Sequence, residues 1–176
     1  MIYRVFVALL LNWVVFGATG QTLDGNAVFN FLTVPSNAHT AALGGRNVSQ
    51  IGADPGFLSE NPALLRNTHD RTVFSNFMFL SPAVVGLHGL GVWHANKIGA
   101  TFGLSVTHFS YGNEPLTDAA GSVLGNFSAY DQSLAITGAA KYGKNWHYGG
   151  NFKFIHSAYG PYSSSAIAID FGLNYF

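Results

Sequence analysis

The chain changes its hydrophobic period once. From Arg71 onward apolar residues alternate with small or polar ones at period two, the spacing of a strand with one apolar face. Six runs are predicted as strands, at about 71–81, 83–95, 97–111, 126–142, 145–160 and 163–176, each bounded by turn signals. In the last run Ile167, Ile169, Phe171, Leu173 and Tyr175 share one face, and Ala166, Ala168, Asp170, Gly172 and Asn174 share the other. In the third, Ile98, Ala100, Phe102, Leu104 and Val106 oppose Gly99, Thr101, Gly103, Ser105 and Thr107. The fourth sets Tyr130, Leu134, Ile136, Ala140 and Tyr142 against Asp131, Ser133, Thr137 and Lys141. The fifth sets Trp146, Tyr148, Phe152 and Phe154 against His147, Gly149, Asn151 and Lys153. The second, AVVGLHGLGVWHA, does not alternate cleanly. The links Ser81-Pro82, Asn96-Lys97, Gly143-Lys144-Asn145 and Gly160-Pro161 are short, whereas 112–125 is expected to be a long loop.

Residues 21–68 follow neither period. Turn formers recur at Asp24-Gly25, Pro35-Ser36-Asn37, Gly44-Gly45, Asp54-Pro55-Gly56 and Asn61-Pro62. Two short helices are predicted. One runs from Asn37 to Leu43 and stops at Gly44; the other runs from Pro62 to Leu65 with Asn61 as N-cap and Pro62 at its first position. Gly44 and Gly45 can supply a backbone reversal with positive φ. Val28, Phe29, Phe31, Leu32, Leu43, Ile51, Phe57, Leu58, Leu64 and Leu65 need a surface to pack on, so this segment reads as a compact plug. Gly44, Gly45, Asn61 and Pro62 are its candidate site residues, in a structural or a gating role.

Residues 1–20 read as a secretory signal peptide. Arg4 supplies the positive start, Val5 to Phe16 the apolar stretch, and Ala18-Thr19-Gly20 the small residues before cleavage at Gln21. That apolar run is shorter than the ~20 residues a spanning helix needs. Membrane residence would then fall to β-strands, the other spanning solution that satisfies the backbone in lipid.

A soluble sandwich also has one apolar and one polar face. Composition moves the reading toward a membrane barrel. Charged residues are 9% of the chain, against about 25% in ordinary soluble domains, and aromatics are 15%. The runs match the ~9–11 residues of a tilted transmembrane strand, and their non-apolar face is small and weakly polar, as in a filled lumen. Trp93, Tyr111, Tyr130, Tyr142, Trp146, Tyr148, Tyr159, Tyr162 and Tyr175 gather near strand ends, where an interfacial girdle would lie. The expected fold is all-β, an antiparallel transmembrane β-barrel of which 69–176 forms a part. Six strands are fewer than the about eight of the smallest barrels. Either the plug adds strands, copies assemble, or the chain is the front portion of a longer protein, and Phe176 reads as a truncation point. The formal net charge of zero argues against nucleic acid, and the absence of cysteine removes thiolate metal sites and disulfides.

The stretch GNAVFNFLTVPSNAHTAALGG (Gly25 to Gly45), with ENPALL (Glu60 to Leu65), resembles the PorV/PorQ family of outer-membrane proteins of type IX secretion in Bacteroidota. Asn151 to Phe176 is similar to the PorQ branch. The resemblance implies a FadL-like barrel of roughly fourteen strands with an N-terminal plug. It also implies a non-enzymatic component of the type IX protein secretion system in the cell outer membrane. That component would anchor a PorZ-like surface protein of the cargo attachment complex. A FadL-like channel for hydrophobic small molecules is the alternative.

Chemical motifs are sparse. His88, His94 and His108 lie on neighbouring runs without a His-x₃-His pair or a carboxylate at ligand spacing, so no metal is expected. A Ser133–His156–Asp131 triad can be drawn, but no nucleophile-elbow signature accompanies it. Gly86, Gly89 and Gly91 lack the GK[ST] of a phosphate loop. No cofactor and no catalytic residue is expected.

Overall fold

The computed structural model describes residues 29–50, 52 and 54–175. The expected signal peptide, Val28, Ile51 and Phe176 lie outside them. The architecture is a six-stranded antiparallel sheet in sequential order, with short helical turns packed against one face. The strands are β1 (Val73–Phe79), β2 (Val85–Ala95), β3 (Ala100–Thr117), β4 (Val123–Tyr142), β5 (Trp146–Tyr159) and β6 (Tyr162–Tyr175). Each pairs only with its sequence neighbours, so β1 and β6 are open edges among the described residues. Short turns enforce this order, because a tight turn can join only antiparallel neighbours.

The alternation resolves into an inner and an outer face. On β4, Asp131, Ser133, Ala135, Thr137 and Ala139 are buried, while Leu134 and Ile136 between them are exposed. On β6, Ile167, Ile169, Phe171, Leu173 and Tyr175 are all exposed, and the small or polar set faces the plug. The second run alternates too, once glycine is allowed for. Gly86, His88, Leu90 and Val92 point inward, and Gly89 and Gly91 lie between them on the outer side. Leu90 and Val92 disturb the pattern because they join Phe57, Leu58, Leu64 and Leu65 of the plug in an apolar cluster. A second cluster unites Phe31 with Phe109 and Ile155. Burying each such side chain contributes about 1.5–3 kcal/mol. The protein's apolar core is therefore the seam between plug and sheet.

The expected loop at 112–125 is mostly strand. β3 continues to Thr117 and β4 starts at Val123, so a hairpin extends past the end of β2. Two register slips, between Ser110 and Asn113 and between Leu116 and Thr117, break the period that would have revealed it. Gly112, at φ 80°, lies in the first slip. The turn is closed by Asp118, whose Oδ1 accepts from the amides of Ala120 at 2.9 Å and Ser122 at 2.8 Å.

Both expected helices form, in shortened versions. The helix α1 spans Ala38–Ala42, and Asn37 caps it by accepting from the Thr40 amide. Pro62–Leu64 is a 3₁₀ turn capped by Asn61. Further 3₁₀ turns at Asn30–Thr33, Pro55–Ser59 and Asn67–His69 lack periodicity and were not legible in the pattern.

Candidate functional site

Asn61 is the hub of the plug. Its Oδ1 accepts from the Ala63 amide at 2.9 Å. Its Nδ2 donates to the Val48 carbonyl at 2.6 Å and to Asn174 Oδ1 on β6 at 3.1 Å. One side chain thus caps a turn, ties that turn to the preceding loop and docks both on the sheet. Asn suits this because its amide carries an acceptor and two donors.

The sheet meets this hub with a pair of glycines. Gly149 and Gly172 are direct partners across β5 and β6. A Cβ on Gly149 would stand 2.6 Å from the carbonyl carbon and oxygen of Pro62, and one on Gly172 would stand 2.0 Å from Asn61 Oδ1. Asn61 and Pro62 therefore rest on backbone, in a place where no larger residue fits. Gly44 and Gly45 adopt φ 91° and 89°, as expected of a helix stop, and Gly45 packs near the Pro35 ring. Gly45 borders the same cavity as Asn61 and Pro62, while a Cβ on Gly44 would meet nothing within 4 Å.

That cavity, about 420 Å³, lies between the plug and the β6 edge and is mainly polar. Glu60, Lys153 and Asp170 border it. Lys153 Nζ lies 2.7 Å from Asp170 Oδ2. Asn151 also donates to Asp170 at 3.2 Å, and accepts from Thr137 at 3.1 Å, so a polar ladder crosses β4, β5 and β6 on the inner face. Burial raises the Glu60 pKa above the usual carboxylate value, opposed by the positive charges of Lys153 and Arg46. Deeper between plug and sheet a further cavity of about 60 Å³ is bordered by Leu58, His88 and Phe109 among others.

The histidines do not converge. His88 is buried and bonds Ser59 at 2.8 Å through Nε2 and Thr107 at 3.0 Å through Nδ1. His94 bonds Thr101 at 2.8 Å, and the His108 ring lies beside Tyr130. The residues of the drawn triad are also apart. Ser133 and Asp131 face inward, whereas His156 shares a row with the exposed Gln132 and bonds Ser165 at 2.9 Å.

Asn61 and Pro62 stand out in the sequence; their glycine seat does not. Gly149 and Gly172 were legible as inner-face residues; that they are cross-strand partners depends on register. The surroundings of Asp131 are likewise invisible in the sequence. This carboxylate is only 2% exposed and accepts from Tyr111 at 2.5 Å, from Tyr159 at 2.8 Å and from Ser157. No protein-family profile, curated protein or solved structure matches this chain.

Proposed function

We propose that the chain is a non-enzymatic outer-membrane β-structure whose outer face meets lipid and whose inner face is stoppered by the plug. The observation that carries this reading is the outer face itself. Phe79 is 77% exposed, Ile167 64%, Ile169 61% and Phe171 86%, an apolar surface that water would not tolerate at this extent. Its boundary follows the strand register. On β3 to β6 the apolar residues stop at one paired row, His108, Gln132, His156 and Ser165. In the other direction they run to Trp146 and Tyr175, whose rings touch at 5.0 Å. An apolar band edged by aromatic and polar residues matches the profile of a bilayer. In lipid, both open edges must be paired by further strand backbone, from this polypeptide or from another.

Within this reading, we propose a role in the type IX protein secretion system, anchoring a PorZ-like surface protein, on the resemblance of the plug motif and of β5–β6 to the PorV/PorQ family. The β3–β4 hairpin is the docking element best suited to it, since it projects beyond its neighbours and exposes Leu116, Val123 and Leu124. Affinity capture of the protein from outer membranes should recover a PorZ-like partner, and shortening the hairpin by 113–128 should abolish recovery while membrane residence persists. Recovery of no surface partner would overturn the docking role. Passage of hydrophobic small molecules is the weaker proposal, because the cavity bordered by Leu58, His88 and Phe109 holds only about 60 Å³ and admits no acyl chain unless the plug moves.

A further inference from the structure

Asp131 lies at the hairpin end of the sheet, beside a cavity of about 320 Å³. Its carboxylate is almost fully buried, yet no Lys, Arg or His among the described residues forms an ion pair with it. Three hydroxyls satisfy it in part: Tyr111 and Tyr159 both donate to Oδ2, and Ser157 donates to Oδ1. An ionised carboxylate offers about four lone-pair positions, so Oδ1 has room for one more donor. Hydroxyl dipoles do not cancel its charge, and a buried charge without a counter-ion is costly.

The rest of the cavity is aromatic. Tyr111 and Tyr159 stack with centroids 5.9 Å apart, and Phe29 from the plug and Tyr162 from β6 also border the space. Aromatic faces attract ammonium groups and cover their carbon chains. Among the described residues bordering the cavity Asp131 alone is charged, and of the lysines Lys97, Lys141 and Lys144 lie toward the opposite end of the sheet while Lys153 is engaged with Asp170.

We propose that this pocket binds a small primary alkylamine. The ammonium donates to Asp131 Oδ1, and the carbon chain lies against Phe29 and Tyr162. Anions are repelled, and a neutral alcohol of the same length gains no charge-assisted bond. The test is calorimetric titration of the full membrane-inserted chain with butylammonium chloride, with 1-butanol as the neutral comparison. Wild type should bind butylammonium saturably, with Kd about 1 mM or tighter, and 1-butanol at least about tenfold more weakly. Asp131→Asn should weaken butylammonium at least about tenfold. Tyr162→Ala, at a side chain 78% exposed and outside the Asp131 hydrogen bonds, should fold normally and weaken binding about threefold. Absence of saturation by about 10 mM, equal binding of 1-butanol, or a folded Asp131→Asn chain with unchanged affinity would overturn the site. If Asp131→Asn fails to fold, Tyr162→Ala decides the matter, and unchanged affinity there overturns it.

Discussion

Adding one methyl group at Gly149 should loosen the plug without altering the strand that carries it. The new Cβ would stand 2.6 Å from the Pro62 carbonyl and 2.9 Å from the Ala63 amide nitrogen, and both are backbone atoms that cannot swing aside. Restoring ordinary contact demands a shift of roughly 0.8 Å. Such overpacking costs about 1–3 kcal/mol. The shift is also enough to break the 3.1 Å bond from Asn61 to Asn174, at about 1 kcal/mol. Alanine's better fit to a strand does not offset this, because β5 is a strand whether or not the plug is docked. The net loss of about 3 kcal/mol raises the population of undocked plug about 150-fold. Hydrogen exchange in the full chain reads this directly at the amides of Leu64 and Leu65, which donate to Asn61 and Pro62 carbonyls in the docked turn. Gly91→Ala is the matched control, because a Cβ there meets nothing within 4 Å. Equal exchange at Leu64 and Leu65 in the two variants would refute the idea that the glycine seat holds the plug.

Two further outcomes follow from the same seat. Gly172→Ala should cost about 1–3 kcal/mol alone but less than about 1 in an Asn61→Ala background, because the Asn61 side chain is the main obstacle; additive effects in unfolding titrations would contradict this. Plug docking should also weaken as pH rises. Glu60 is held above its ordinary value of 4.5 by burial, so docking is strongest below that value and declines as pH rises through the raised one. Glu60→Gln should flatten this part of the profile, measured by plug exchange against pH, and an unchanged profile would remove Glu60 as its cause.

What the sequence disclosed follows from what is local. Strand existence and facing were readable because period two is set by the backbone itself, so Ile167 to Tyr175 could be placed on one face directly. The Asn61 cap and the positive φ of Gly44 and Gly45 were readable because each is decided within a few residues. The hairpin beyond Ser110 was hidden by two slips of register and by Pro115, which carries no N–H for a ladder. The Gly149–Gly172 seat and the hydroxyls around Asp131 join residues from separate strands, so neither could be seen before the register was fixed.

The central claim is that the outer face meets lipid and the inner face meets the plug. Spin labels placed singly from Ala166 to Asn174 on β6 of the membrane-inserted protein test it most directly. Collision with lipid-soluble oxygen should be high at Ile167, Ile169, Phe171 and Leu173 and low at Ala168, Asp170 and Gly172, a period of two along the strand. A water-soluble paramagnetic ion reaching Ile169 and Phe171 freely, or no alternation at all, would contradict it.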